Sequence, residues 1–245
     1  MRAAAGAAAI AALLACCDAD DRPAVRVFAA SSLTAPFERL VERFAESHPK
    51  LRVELHCAGT PQLVMQLRQG APADVFASAD EQHMQGIVED GLNADAPQRF
   101  ATNALAIVTD PDNSKAITSV ADLARGDITY LLCAPQVPAG RYARAVLQRA
   151  SVAARSASDE PSVRAVVSKV ELGVADAGVV YRTDAIAASK RLHTVAIAAR
   201  LNVEATYPIV TTSTGGHAAG GKAFVAFVLG PEGQSILSEH GFSAP

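Results

Sequence analysis

The sequence predicts an α/β protein of two lobes, each a mostly parallel sheet flanked by helices, with binding chemistry gathered where strand ends meet helix starts. Short apolar runs typical of buried strands alternate with segments whose apolar residues recur every three or four positions, as in amphipathic helices. The chain has 245 residues, of which 50% are hydrophobic and 19% charged, so it can build a core in each of two lobes.

Six apolar runs predict strands, and the amphipathic segments between and after them predict helices. The predicted strands cover residues 25–30, 51–55, 75–77, 105–108, 128–133 and 176–181. The predicted helices cover residues 34–47, 60–70, 81–89, 118–125, 141–150, 158–173, 218–229 and 231–240. Ser, Thr or Pro at helix starts and Gly at helix ends are typical boundary signals. Residues 203–212 are predicted to cross back to the first lobe.

This order of elements sets the predicted boundaries. Lobe 1 is expected to comprise residues 25–102 and 212–245, and lobe 2 residues 103–211. Residues 1–15 combine Arg2 with an Ala-rich apolar run and predict a secretory signal peptide. Residues 13–16 resemble the lipobox of bacterial lipoproteins, which predicts lipidation of Cys16. Residues 14–17 fit the same motif less well, so Cys17 is the alternative lipidation site. Residues 16–24 are then the lipid-attachment cysteine and an acidic tether.

Composition and charge argue against several classes of partner. The formal net charge is −3 and there is no Lys/Arg-rich run, so no nucleic-acid partner is expected. Trp is absent and aromatic residues make up only 5%, which argues against a surface that stacks on sugars or bases. Cys57 and Cys133 could form a disulfide in an exported protein or remain two separate thiols, and their spacing fits both.

Hydroxyl groups and helix starts recur where predicted strands end. Ser31-Ser32 and Thr60 each lie at a strand-to-helix turn, and Tyr181 ends a strand. Helices also begin near Ala139-Gly140 and Val163. Any one of these positions alone could be an ordinary helix cap. Together they predict an anion site, because the unpaired N–H groups of a helix start carry positive partial charge.

Full positive charges are scarce at these turns. Arg141 and Arg164 follow two of the four helix starts, and no other Lys or Arg lies within those four turns. A site built from dipoles and hydroxyl donors suits a fully deprotonated oxyanion, because every donor can point at an oxygen atom. The sequence therefore favours a small-oxyanion receptor.

Five segments carry a more specific pattern. They are Phe-Ala-Ala-Ser-Ser-Leu-Thr at 28–34, Gly-Ala-Pro-Ala-Asp-Val-Phe at 70–76, Val-Pro-Ala-Gly at 137–140, Val-Val-Tyr at 179–181, and Gly-Pro-Glu-Gly through Gly-Phe at 230–242. In order and spacing they resemble the periplasmic molybdate-binding proteins of ABC importers. The resemblance extends over nearly the whole chain after residue 24. It implies a two-lobed, type II periplasmic-binding fold that closes on molybdate or tungstate without a counter-cation.

The resemblance also implies particular roles. The residues expected to bind the oxyanion are Ser32, Thr60 and Tyr181 through their hydroxyls and Ala139 and Val163 through backbone N–H groups, with Ser31 and Gly59 behind them. The resemblance implies a periplasmic protein without cofactor or free metal ion, partnered by an importer permease. We expect a monomer, anchored to the membrane by the lipid predicted at Cys16. Where the family has a Ser-rich run, this chain has Gly59-Thr60-Pro61, which leaves the preference among oxyanions open. Sulfate, phosphate or another small oxyanion is the alternative ligand.

Motifs of enzymes are incomplete in this chain. Residues 216–222 read Gly-x-x-x-x-Gly-Lys, but Ala223 replaces the Ser or Thr that holds Mg²⁺ in a nucleotide-binding loop. The Gly-x-Ser-x-Gly elbow of serine hydrolases does not occur. The six histidines include no i, i+4 pair, so no metal site is expected. A binding protein is favoured over an enzyme, with a hydrolase as the remaining alternative.

Overall fold

The computed structural model describes residues 22–153 and 155–245. The predicted signal peptide, Cys16, and the predicted tether as far as residue 21 lie outside the described residues. Ala24, which was predicted to end the tether, already belongs to the first strand, β1 (Ala24–Ala30). Within the described ranges, no helix combines the length and apolar character that crossing a membrane requires.

Ten strands and eight α-helices make up the described chain. After β1 the strands are β2 (Arg52–Ala58), β3 (Val75–Ala77), β4 (Gln98–Asn103), β5 (Leu105–Thr109), β6 (Tyr130–Cys133), β7 (Ser158–Glu160), β8 (Ala177–Tyr181), β9 (His193–Ala196) and β10 (Ala205–Thr211). The helices are α1 (Thr34–Ser47), α2 (Thr60–Arg68), α3 (Glu81–Glu89), α4 (Pro138–Arg149), α5 (Val163–Glu171), α6 (Arg182–Ala187), α7 (Ala218–Leu229) and α8 (Pro231–Glu239). Short 3₁₀ helices cover Ser31–Leu33 and Val120–Ala124.

The strands form two five-stranded sheets, ordered β2-β1-β3-β10-β4 and β7-β6-β8-β5-β9. In the first sheet β1 pairs in parallel with β2 and β3, and β10 pairs antiparallel with both β3 and β4. In the second, β6 pairs in parallel with β7 and β8, and β5 pairs antiparallel with both β8 and β9. Four of the five strands in each sheet therefore run the same way. The predicted α/β fold with two mostly parallel sheets is confirmed.

Strand β10 corrects the predicted lobe boundary. Residues up to 211 were assigned to lobe 2, but β10 pairs Ile209 with Ala77 and Ala205 with Asn103 in the first sheet. Pro208, which has no N–H to donate, is accommodated at a register shift beside Tyr207. The return crossing therefore lies before Ala205, and the whole of β10 belongs to lobe 1.

Apart from β10, the strands that the sequence did not predict lie at sheet edges. These are β4, β7 and β9, each of which pairs with one other strand only. Edge strands need no continuous apolar run, because one side is not covered by a neighbour. Residues 158–160 were predicted to start a helix but form β7, and α5 begins only at Val163 with Ser162 as its cap. The cap of α3 is Asp80.

The predicted apolar stripe of α1 fixes this helix on the first sheet. Phe37, Leu40 and Phe44 are fully buried. The Phe44 ring packs edge-to-face on Phe224 of α7, with centroids 5.2 Å apart. Burying each such side chain contributes roughly 1.5–3 kcal/mol. The start of α1 is thereby held rigidly at the carboxyl end of β1.

The two cysteines in the described chain are unpaired. Cys57 lies on β2 in lobe 1 and Cys133 on β6 in lobe 2, and both are free thiols. Burial raises the pKa of both thiols, so neither is a reactive thiolate at neutral pH. Of the two alternatives left by the sequence, the structure has separate thiols.

Candidate functional site

A small cavity of about 10 Å³ lies between the lobes. It is surrounded by the carboxyl ends of three strands from each sheet, β1, β2 and β3 in lobe 1 and β6, β7 and β8 in lobe 2. The lining residues are Ala30, Ser31, Ser32, Gly59, Thr60, Ala79, Val137, Pro138, Ala139, Val163 and Tyr181. All five residues expected to bind the ligand are among them, together with the two expected behind them. The structure therefore brings every predicted site residue after Cys16 to one place.

Ser31 and Ser32 form the wall next to β1. They lie in the 3₁₀ turn that precedes α1, and both are buried. Ser32 Oγ is hydrogen-bonded to the Tyr207 hydroxyl at 3.2 Å. The Thr34 hydroxyl donates to the carbonyl of Ser31 at 2.8 Å, which fixes the turn. Ser32 is thus oriented from behind by a tyrosine of β10.

Thr60 forms the adjacent wall at the end of β2. It is the first residue of α2, with Gly59 rather than Thr60 at the cap position and Pro61 next along. The N–H groups of a first helical turn have no partner within the helix, so Thr60 presents a hydroxyl and an N–H together. A Cβ placed on Gly59 would lie 2.5 Å from the carbonyl oxygen of Pro161. Glycine therefore allows the two lobes to touch here.

The opposite wall comes from two helix starts in lobe 2. Pro138 is the first residue of α4 and Ala139 the second, and Val163 is the first residue of α5. The Ser162 hydroxyl caps α5 by accepting the N–H of Ala165 at 3.3 Å, which leaves the N–H of Val163 outside this cap. Both helix starts direct positive partial charge toward the cavity.

Tyr181 completes the cavity at the end of β8. The residue is only 1% exposed, and its hydroxyl is the one buried side-chain polar atom without a hydrogen-bond partner among the described residues. Burial, followed by the nearby Tyr207, raises the pKa of Tyr181 well above its ordinary value. The hydroxyl therefore keeps its proton at neutral pH and is available as a donor. An unmet buried group of this kind costs about 1–3 kcal/mol, which an accepting ligand would recover.

The cavity wall carries no charged side chain among the described residues. Arg141 lies close by, but its Nη2 is paired with Asp80 Oδ2 at 2.5 Å. Nor does any group of three or more His, Cys, Asp and Glu side chains in residues 22–153 and 155–245 have the arrangement of a metal site. The cavity wall therefore offers hydroxyl groups and the N–H groups of helix starts.

A larger groove of about 490 Å³ adjoins the cavity and shares Ser31 and Ser32 with it. Its lining mixes acidic and basic side chains, among them Glu38, Arg164 and Arg191. The acidic side chains of the groove would repel an anion as its basic side chains attract it. The small cavity, by contrast, has hydroxyl and N–H groups that converge on one point. The smaller cavity is therefore the candidate site.

Sequence reasoning missed the residues behind the cavity. Tyr207 supports Ser32, and Asn103 Nδ2 donates to the Tyr207 hydroxyl at 3.5 Å and to Thr183 Oγ1 at 2.9 Å. Asn103 ends β4 and Thr183 lies in lobe 2, so the contacts connect the cavity wall to the first crossing between the lobes. Tyr207 lies in the segment that was predicted to cross between the lobes. Had residues 205–211 been recognised as a strand of lobe 1, Tyr207 would have been expected near the end of β1.

The sequence of this chain matches a known protein family. Residues 25–243 match the family described as bacterial extracellular solute-binding protein. Over 219 residues the chain is 38% identical to the molybdate-binding protein ModA of Mycobacterium tuberculosis, which covers 89% of this chain and 84% of that one. It is 28% identical over 236 residues to the putative ABC transporter substrate-binding lipoprotein YvgL of Bacillus subtilis, covering 93% of this chain and 89% of that one.

A solved structure shares the fold. The periplasmic molybdate-binding protein of Azotobacter vinelandii superposes with a TM-score of 0.81 at 21% identity, covering 90% of this chain and 99% of that one. The family match spans nearly all of the described residues, including every wall of the cavity. The chain belongs to the bacterial extracellular solute-binding proteins.

Proposed function

We propose that this protein captures molybdate or tungstate outside the cytoplasm and delivers it to the permease of an ABC importer. The observation that carries the proposal is the buried, unpartnered hydroxyl of Tyr181 at a cavity whose other walls are hydroxyls and helix starts. The relatives named as molybdate-binding proteins support this choice of ligand.

The proposed donors are Ser32, Thr60 and Tyr181 through their hydroxyls and Ala139 and Val163 through their N–H groups. A tetrahedral oxyanion has four acceptor oxygens and matches donors that converge from several sides. Each hydrogen bond to a charged group is worth about 1.5–3 kcal/mol, and several together support a Kd below about 1 μM after the cost of association. Ser31 and Gly59 are proposed to shape the wall rather than to donate.

We infer that the protein binds its ligand without transforming it. The cavity wall offers neutral hydroxyl and backbone N–H groups, and the raised pKa of Tyr181 keeps that hydroxyl protonated. Membership of a solute-binding family supports the same conclusion. Incubation of the protein with molybdate should return the anion chemically unchanged.

The test is isothermal titration of the purified protein with molybdate, tungstate, sulfate and phosphate at equal concentration and ionic strength. Molybdate and tungstate should bind at least about a hundredfold more tightly than sulfate, a difference of about 3 kcal/mol. Equal or tighter binding of sulfate or phosphate would assign the site to another oxyanion.

We further propose that residues 1–15 are removed, that Cys16 is lipidated, and that the protein acts as a periplasmic monomer tethered to the membrane. The lipobox-like residues 13–16 and the relative named as a lipoprotein support the anchor. Mass spectrometry of the membrane fraction should find an acylated N-terminal cysteine at Cys16, and replacing Cys16 and Cys17 together with Ser should abolish the acylation, because Cys17 could otherwise substitute for Cys16. Unacylated wild-type protein released by osmotic shock would contradict the anchor.

A further inference from the structure

One ion pair joins the lobes beside the cavity. Asp80 follows Ala79 in lobe 1, and Arg141 lies two residues after Ala139 in lobe 2. Ala79 and Ala139 both line the cavity, so the pair lies directly behind its wall. Arg141 Nη2 and Asp80 Oδ2 are 2.5 Å apart. The pair connects the first turn of α4, which presents the Ala139 N–H, to the opposite lobe.

The carboxylate is held in place by its own lobe. The Asp80 side chain is 1% exposed and caps α3 by accepting the backbone N–H of His83 at 2.8 Å. The imidazole Nδ1 of His83 lies 2.9 Å from the same carboxylate. Burial alone would raise the pKa of Asp80, but the contacts with His83 and Arg141 outweigh it and lower the pKa. Asp80 is therefore a fixed, ionised acceptor.

The guanidinium is the partner that the other lobe supplies. The Arg141 side chain is 33% exposed, and its Cζ lies 5.2 Å from the centre of the Tyr142 ring. Separation of the lobes breaks the pair with Asp80 but leaves the contacts between Asp80 and His83 intact. The ion pair is thus formed when the lobes are closed and broken when they separate. An interaction that is present in only one of two states shifts the equilibrium toward that state.

The pair also governs charge at the cavity. Asp80 alone would place a buried negative charge beside the proposed oxyanion and repel it. Arg141 cancels that charge without occupying the cavity wall. Removal of Arg141 therefore has two unfavourable effects in the closed state, a lost contact and an uncompensated carboxylate.

We propose that Asp80 and Arg141 are positioning residues that hold the start of α4 against lobe 1 and thereby slow release of the bound oxyanion. The proposal rests on the proposed function for the identity of the ligand. Because the pair forms only when the lobes meet, it acts on the dissociation rate more than on the association rate.

The first test measures release of radioactive molybdate after dilution into excess unlabelled molybdate. Arg141→Gln should release it at least about tenfold faster than the wild type, since a charge-assisted contact is lost. Arg141→Lys should restore most of the slow release, because an ammonium can still pair with Asp80. Asp80→Asn should have a smaller effect, since the freed guanidinium still attracts the anion.

The matched control is the ion pair Arg68–Asp90, which has Nε–Oδ2 at 2.7 Å but lies within lobe 1. Arg68→Gln should leave the release rate unchanged. Release from Arg141→Gln within twofold of the wild-type rate, or equal acceleration by Arg68→Gln, would overturn the proposal.

A second measurement separates this proposal from the choice of ligand. Hydrogen exchange of the backbone N–H groups over residues 141–145, the first of α4 that are hydrogen-bonded within the helix, should be faster in ligand-free Arg141→Gln than in the wild type, and unchanged in Arg68→Gln. If the wild type binds no oxyanion but this difference is observed, the proposed function fails and the positioning role stands. If exchange is unchanged in Arg141→Gln, the positioning role fails whatever the ligand.

Discussion

The two lobes share one topology but supply different donors to the cavity. Strands β1, β2 and β3 correspond to β6, β7 and β8, and each set is followed by an antiparallel strand and an edge strand in the same order. Helices α1 and α2 of lobe 1 therefore correspond to α4 and α5 of lobe 2. At these equivalent starts lobe 1 has Ser32 and Thr60, whereas lobe 2 has Ala139 and Val163.

The difference shows which part of the site is vulnerable to substitution. Lobe 1 presents hydroxyls that one substitution can remove. Lobe 2 presents backbone N–H groups, which any side chain leaves in place, and adds the Tyr181 hydroxyl. Discrimination between oxyanions should therefore depend, in lobe 2, on how accurately the two helix starts are positioned. In lobe 1 it should depend on which side chains carry the hydroxyl groups.

The largest effect is expected from Gly59→Ala, which acts on both lobes at once. The new methyl group would lie 2.5 Å from the Pro161 carbonyl oxygen and hold the lobes apart. Overpacking of this kind costs up to about 3 kcal/mol, so titration calorimetry should show roughly hundredfold weaker molybdate binding. At φ −58° and ψ 136° the backbone accepts Ala, so the melting temperature without ligand should hardly change.

The matched control is Gly126→Ala, because a Cβ at Gly126 meets no atom within 4 Å. Its affinity should equal that of the wild type. Undiminished binding by Gly59→Ala would show that the lobes need not touch at this point.

Tyr181→Phe tests the side-chain donor of lobe 2. It should weaken binding by about 1.5–3 kcal/mol, the value of one hydrogen bond to a charged group. Because the hydroxyl has no partner in the protein, the melting temperature without ligand should stay the same or rise. Calorimetry and thermal denaturation together check both parts, and an unchanged affinity would remove Tyr181 from the site.

Ser32→Ala tests the corresponding donor of lobe 1 and should have a somewhat smaller effect on affinity, near about 1.5 kcal/mol. Unlike Tyr181, Ser32 is hydrogen-bonded within the protein, to Tyr207. The substitution should therefore also lower the stability of the ligand-free protein by about 0.5–1.5 kcal/mol. Denaturant unfolding without ligand measures this, and a loss of affinity with no loss of stability would contradict the contact with Tyr207.

The last comparison concerns two carboxylates after equivalent strands, Asp80 after β3 and Asp184 after β8. The pKa of Asp80 is lowered by its partners, whereas burial raises the pKa of Asp184 from 3.8 to about 7. The folded state therefore keeps a proton on Asp184 that the unfolded state releases. Its stabilising contribution is complete below the ordinary pKa and is lost as the pH rises through about 7.

The wild type should consequently melt at a lower temperature at pH 8 than at pH 5, by about 2–4 °C for each kcal/mol of stability lost. Asp184→Asn should reduce this difference, because the amide can still accept the Tyr181 N–H but does not titrate. Melting curves of both proteins at the two pH values decide the point. An equal pH effect in the variant would assign it to other groups.

The sequence was sufficient for the local parts of this comparison. Hydroxyl residues, Pro and apolar stripes mark strand ends and helix starts within a few residues, so the position of every proposed donor could be predicted. The missing parts depend on contacts between distant residues. Strand β10 is recognised only by its pairing with β3 and β4, and the Asp80–Arg141 pair joins residues from different lobes.

The edge strands were missed for a related reason. β7 consists of Ser158, Asp159 and Glu160, and no apolar pattern distinguishes such a segment from a loop or a helix start. Its strand conformation comes from the ladder with β6. Local sequence patterns therefore indicate which residues can donate hydrogen bonds at strand ends and helix starts. Contacts between distant residues determine which other residues hold those donors in place.

The contact between Tyr181 and Tyr207 has a practical consequence for observing the protein. Their ring centroids are 5.6 Å apart beside the cavity, and the chain has four tyrosines and no tryptophan. An anion that accepts a hydrogen bond from the Tyr181 hydroxyl changes the polarity around a tyrosine ring whose emission is not obscured by tryptophan. Near-ultraviolet absorbance and tyrosine emission can therefore report ligand capture without any attached label, from the residue that makes the contact.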